Sequence, residues 1–217
     1  MDNLDILLPL FSITVAIALG AASPGPSFVL VARTAIAAGR PAGLAAAFGM
    51  GIGGAVFAGL ALLGLIALLA QVAWLYLGLK LAGGLYLCWL AFRLWRGAKQ
   101  PLTVSGDGDA TNGSAERGLL RAFSVGLLTQ LSNPKTAVVY AGIFAALMPA
   151  QPSVWLAALL VPAVFVVECG WYALVAVAFS AGRPRALYLN AKHWIDRAAG
   201  GVMALLGIRL IVESVRG

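Results

Sequence analysis

Apolar residues in this chain come in long blocks separated by short polar or Gly- and Pro-rich stretches. They do not follow the periods of elements that bury one face against a core. The blocks predict six membrane-crossing helices: about Leu4–Ala38, Ala42–Ala70, Trp74–Trp95, Leu119–Met148, Val154–Ala181 and Arg197–Val215. A plain crossing needs roughly 20 residues, so the first and fourth blocks are too long for one unbroken helix. Each carries a break. The first is Ala21-Ala22-Ser23-Pro24-Gly25-Pro26-Ser27 and the second is Asn133-Pro134-Lys135. Proline removes a backbone donor and clashes with the preceding turn. In lipid, the freed groups survive only where protein or a water-filled cavity covers them. Ser23 before Pro24, and Asn133 before Pro134, read as an N-cap followed by proline at the first helical position. A new half-helix is therefore expected to start in mid-membrane at each break.

Composition agrees with the pattern. Of 217 residues, 61% are hydrophobic and 11% charged, against about 25% charged in a soluble domain. The formal charge of +7 is explained by topology and not by nucleic acid, because the basic residues flank the spans. Arg33 and Arg40, then Arg93, Arg96, Lys99, Arg117 and Arg121, then Arg183, Arg185, Lys192 and Arg197 put eleven of the 15 basic residues on one face. That face is cytoplasmic by the positive-inside rule, which puts both termini outside. A signal peptide is disfavoured, since Asp2 and Asp5 stand where a basic n-region belongs. The first loop is marked by Arg33, Gly39, Arg40 and Pro41, and the fifth loop by Gly182 to Asp196. Gly97–Gly118 has linker composition. The expected organisation is a first three-helix repeat (1–96), a cytoplasmic linker (97–118) and a second three-helix repeat (119–217). Cys88 and Cys169 lie inside spans without a CxxC pattern, and His193 stands alone, so no metal site or cofactor is expected. The glycines from Gly43 to Gly64 suit close helix packing or local flexibility.

The two halves are odd-numbered, so they insert with opposite orientation. Ser23-Pro24 aligns with Asn133-Pro134, and Lys80-Leu-Ala-Gly83-Gly84 with Arg197-Ala-Ala-Gly200-Gly201. The fold expected is an all-α integral membrane protein of two inverted three-helix repeats, with helices 1 and 4 broken and substrate near the midplane. Both half-helix N-termini then point to mid-membrane, where their positive ends suit a carboxylate. The candidate substrate-binding residues are Ser23, Pro24, Gly25, Pro26, Asn133, Pro134, Lys135, Glu168, Trp171 and Tyr172. Lys135 adds positive charge, or snorkels or caps carbonyls. Glu168, an acid well inside a span, is costly there and pairs or serves transport. It either forms an ion pair with Lys135 or meets a substrate ammonium or coupling proton. Trp171 and Tyr172 wall a ligand or simply pack.

These residues resemble the lysine/homoserine/threonine exporter family (the LysE/RhtB type) of bacterial inner-membrane proteins. The resemblance is carried by Ala22-Ser23-Pro24-Gly25-Pro26, Gly39-Arg40-x-x-Gly43, Gly83-x-x-Tyr86-Leu87 and Asn133-Pro134-Lys135, and covers nearly the whole chain. It implies six spans and proton-driven efflux of small amino acids or their derivatives. The residues themselves disfavour an enzyme, since Ser23 and Ser132 have no evident His base in the membrane and no metal-ligand spacing appears. The implied partners are the substrate, protons and the lipid bilayer, with a homodimer left open. The family often has a polar or acidic residue near Gly53-Gly54, where this chain has glycine. A related thiol-reducing branch carries cysteines in spans 1 and 4, and this chain has none there. The alternative reading is a metal-ion exporter or passive channel on the same scaffold.

Overall fold

A computed structural model of the chain describes residues 3–71, 73–99, 115–149 and 151–216. Among these residues the secondary structure is entirely helical: α1 (Asn3–Ala22), α2 (Pro26–Gln71), α3 (Ala73–Gly97), α4 (Ala115–Leu131), α5 (Pro134–Leu147), α6 (Val154–Phe179) and α7 (Gly182–Arg216). Pro26–Gly64, Val154–Phe179 and Asn190–Val215 are long and apolar enough to cross a membrane, and Ile6–Ala22 and Pro134–Leu147 are shorter apolar helices.

The two proline breaks separate α1 from α2 and α4 from α5. At the second, the local chemistry is as expected. Asn133 caps α5, its Oδ1 accepting from Lys135 N at 3.0 Å, and Pro134 opens the helix. At the first, the register differs. Ser23 follows the end of α1, its N–H donating to Leu19 O at 3.3 Å, and α2 starts at Pro26 with Val29 N donating to Gly25 O at 2.9 Å. Pro26, not Pro24, takes the first helical position. Ser23 is not its N-cap, because three residues of Pro24-Gly25-Pro26 chain separate it from the donors it would satisfy.

α2 reverses direction at Gly39, where φ is 84° and ψ 172°, a region essentially reserved for glycine. The reversal shows in packing: a Cβ on Gly43 would lie 2.8 Å from Ala35 Cβ, whereas eight residues of straight helix span about 12 Å. The expected loop between the first two spans is thus a single-residue turn. The fifth loop is corrected outright. Gly182 to Asp196 is helical and continuous with α7, because its polar residues still hydrogen-bond along one helix. Residues 100–114 of the expected linker lie outside the described residues, and the segment from Ala115 already belongs to α4.

Small residues set the helix packing. α2 packs against α6 and α4, and α3 against α7. A Cβ on Gly49 would overlap the carbonyl of Phe123, and one on Gly126 would overlap that of Ala46, so α2 and α4 touch backbone to backbone. The α3–α7 crossing is similar, with Gly84 against the Gly207 carbonyl and Gly200 against Trp95. Large apolar side chains such as Phe11, Leu63, Phe92, Leu128, Val166 and Leu205 face outward. Small residues at the helix crossings, with large apolar ones facing outward, is the arrangement expected where lipid removes the hydrophobic incentive to associate.

Two apolar clusters form the interior. One includes Ile13, Ile17, Leu62, Leu87, Ile143, Phe144, Leu160 and Met203. The other includes Phe28, Val31, Ala46, Met50, Tyr172, Val175 and Phe179.

Candidate functional site

Ser23, Ser27, Gln130, Asn133, Thr136, Glu168, Lys192 and Asp196 are buried polar or charged residues. Most belong to one hydrogen-bonded system at the breaks. Asn133 Nδ2 donates to Ser27 Oγ at 2.9 Å, Ser27 Oγ donates to Gln130 Oε1 at 2.6 Å, and Gln130 Nε2 donates to Glu168 Oε2 at 3.1 Å. Tyr140 Oη donates to the other carboxylate oxygen at 2.8 Å. The amide orientations follow from this chain: Asn133 Oδ1 is committed to the α5 N-terminus, which turns its NH₂ toward Ser27. All the donors run toward Glu168. A buried carboxyl costs little only when such partners surround it.

Lys135 lies on the other side of the break. Its Nζ donates to Gly20 O at 3.2 Å and Ser23 O at 3.0 Å, carbonyls that the end of α1 leaves without helical partners. This is the carbonyl-capping role. The alternative ion pair with Glu168 is not formed, because the Glu168 oxygens are held by Tyr140 and Gln130. A third cluster comes from α7. Asp196 Oδ1 accepts from Ser23 Oγ at 3.3 Å, and Asp196 Oδ2 pairs with Lys192 Nζ at 2.8 Å. Lys192 also donates to Gly97 O at the end of α3, at 3.2 Å.

Two cavities meet here. A small one of about 20 Å³ is lined by Ser23, Gly25, Ser27, Asn133, Lys135, Thr136, Tyr140, Glu168 and Tyr172, among others. That is room for about one water. A larger one of about 470 Å³ runs from the two breaks to the end of α3, past Trp89, Arg93, Gly97, Lys192 and Asp196. Its size lies in the range of small-molecule sites, roughly 300–1,000 Å³. Pro24, Gly25, Pro26, Asn133, Pro134 and Lys135 all line it.

Nine of the ten residues singled out from sequence therefore line these cavities, but not equivalently. Glu168 and Tyr172 face only the small one, and Ser23 reaches it beside them. Trp171 lines neither and packs against the Phe28–Phe179 cluster. Residues missed from sequence are Ser27, Gln130, Thr136, Tyr140, Lys192 and Asp196. Gln130, a lone amide in an apolar run three residues before Asn133, was the readable signal. Asp196 and Lys192 were hidden by the reading of their segment as a loop.

Gly54 fits tightly against the site. A Cβ there would sit 2.8 Å from Glu168 Cγ and 3.0 Å from Tyr140 Oη. Glu168 and Tyr140 occupy the space a larger residue would need.

A family model described as LysE type translocator matches residues 18–214. The chain is 34% identical over 191 residues to the threonine efflux protein of Escherichia coli (strain K12), covering 88% of this chain and 91% of that one. It is 31% identical over 208 residues to the threonine efflux protein of Salmonella typhi, covering 96% of this chain and all of that one. An uncharacterized membrane protein of Escherichia coli (strain K12) is 28% identical over 193 residues, covering 89% of this chain and 84% of that one. No solved structure matches the chain.

Proposed function

The chain belongs to the LysE type translocator family, and on that premise we infer that it exports small amino acids of the homoserine/threonine/lysine type, or their derivatives, from the cytoplasm by proton antiport. The protein is an integral membrane transporter and not an enzyme. The observation that carries the substrate reading is the convergence of the α2 and α5 N-termini and Lys135 on one cavity of about 470 Å³. Two positive helix ends and an ammonium favour a carboxylate. The relatives named for threonine efflux point the same way.

The proposed architecture is six spans in two inverted repeats. α1 with the first limb of α2 forms span 1, and α4 with α5 forms span 4. The α3–α7 packing supports the inversion: Gly84 meets Gly207 while Ala91 and Trp95 meet Gly200, so the two helices run antiparallel, as a two-fold axis in the membrane plane requires. With both termini periplasmic and the basic residues cytoplasmic, in a bacterial inner membrane, the large cavity lies on the cytoplasmic side of the breaks. The conformation is then inward-facing. Its outward path is closed by the apolar cluster around Ile17, Ile143, Phe144 and Met203.

Glu168 takes the proton role. It borders a cavity with room for about one water, and its oxygens already accept from Tyr140 and Gln130. Substrate binds on the Lys135 side, and protonation of Glu168 weakens the donor chain that ties α4, α5 and α6 to the first break.

The test is efflux from vesicles preloaded with labelled threonine, homoserine and lysine, with a proton gradient imposed or dissipated. Selective, gradient-stimulated efflux is expected. Glu168→Gln retains substrate exchange across the membrane and loses stimulation by the gradient. Full stimulation in Glu168→Gln removes Glu168 from coupling, and wild-type protein that moves none of the three amino acids sinks the export reading.

A further inference from the structure

An amino acid carries its ammonium and carboxylate on one carbon, so a site for it needs opposite charges a short distance apart. Lys135 and the two helix ends provide for the carboxylate. The acid first suited to the ammonium by sequence, Glu168, lines only the small cavity, which has room for about one water. Asp196 lines the large one, with Lys135, which reaches both, although Asp196 is only 3% exposed.

The two charges flank a single residue. Lys135 Nζ bonds the carbonyl of Ser23, and Asp196 Oδ1 accepts from the hydroxyl of the same Ser23. Ser23 belongs to the first break, so α7 and α5 present their acid and base to each other across it. The Ser23–Asp196 bond is long, at 3.3 Å. A carboxylate has about four lone-pair sites, and Lys192 and Ser23 take one each. Acceptor capacity remains on a residue that lines the cavity. Lys192 supplies a resident cation at Oδ2, so that Asp196 is compensated when the cavity holds no substrate, as buried charges must be.

We propose that Asp196 is the residue that recognises the substrate ammonium, making the Lys135–Ser23–Asp196 arrangement a zwitterion-specific site. This deepens the export reading and rests on it. Asp196 is then a specificity-determining residue: it separates α-amino acids from equally sized carboxylates that lack the ammonium. Glu168 has no part in that selection.

The experiment compares binding of threonine and of 2,3-dihydroxybutyrate, in which a hydroxyl replaces the ammonium, to the purified full-length protein in detergent. Wild type prefers threonine. Asp196→Asn, nearly isosteric, weakens threonine binding roughly tenfold or more, the size expected when one charged partner is lost, and does not weaken binding of the hydroxy acid, whose carboxylate loses a neighbouring anion. Hydroxy-acid binding doubles as the control for folding. A second variant covers the case in which Asp196→Asn does not fold: Lys192→Gln leaves the substrate ammonium as the partner for the buried Asp196 charge and tightens threonine binding relative to the hydroxy acid, as expected when a buried carboxylate loses its resident cation. Equal loss of both ligands in Asp196→Asn, unchanged threonine preference, or threonine binding weakened relative to the hydroxy acid in Lys192→Gln overturns the assignment. Wild-type protein that binds neither ligand overturns the export reading itself, so the two failures are distinguishable.

Discussion

Replacing Gly49 with alanine tests how closely α2 and α4 approach. The added Cβ would overlap the carbonyl of Phe123 and stand 2.7 Å from Leu127 N. These are backbone atoms, which no rotamer change can move aside. Overpacking a tight interior costs about 1–3 kcal/mol, and the upper end applies where backbone must shift. Against this stands the better helix propensity of alanine, about 1 kcal/mol. The net destabilisation is then about 2 kcal/mol. For a protein of this length 1 kcal/mol moves Tm by about 2–4 °C, so the melt falls by about 4–8 °C. Gly59 and Gly170 are the controls, because a Cβ on either meets nothing within 4 Å. There only the propensity term of about 1 kcal/mol acts, and alanine raises Tm by about 2–4 °C. The assay is a thermal melt of the three variants in one detergent, with retention on a sizing column to verify monodispersity. The opposite signs make the comparison independent of how detergent scales the absolute values. A Gly49→Ala protein that melts at or above wild type refutes the backbone-to-backbone crossing. Gly49→Ala and Gly126→Ala together should also be less than additive, since both relieve the same contact by separating the same two helices.

Gly39→Ala places a side chain at φ 84° and costs about 1–3 kcal/mol, read as a lower Tm with substrate binding retained once folded. Unchanged stability would mean that the turn between the two limbs of α2 lies elsewhere. Asn133→Ala removes the α5 cap and the donor to Ser27, for about 0.5–2 kcal/mol from the cap alone. Asn133→Ser restores the cap but not the bond to Ser27, so it should recover stability while transport stays impaired. Recovery of both by serine would show that the donor chain to Glu168 is dispensable.

Helix type, the two breaks and the α5 cap were legible in the residues because each depends on neighbours in sequence. Proline blocks a hydrogen bond four residues away, Asn133 reaches its own helix end, and an apolar block of sufficient length has only lipid or a protein interior to go to. The membership of the site was half legible for the same reason: the residues of the two breaks announce themselves by their effect on local backbone. The register at the first break was not, since Ser23-Pro24 and Gly25-Pro26 are both plausible starts, and the choice fell to tertiary partners. Ser23 is held by Asp196, 173 positions away. Nor were the different surroundings of the two acids visible. Glu168 and Asp196 are both carboxylates near apolar sequence. Tyr140 and Gln130 enclose one and Lys192 pairs with the other at the wall of the larger cavity. The chain by itself determines where helices must run and where they must break, because those are local balances of hydrogen bonding and transfer from water. Which polar groups meet inside is decided by helix packing, through glycines such as Gly49, Gly54 and Gly84 whose missing side chains allow distant segments to touch.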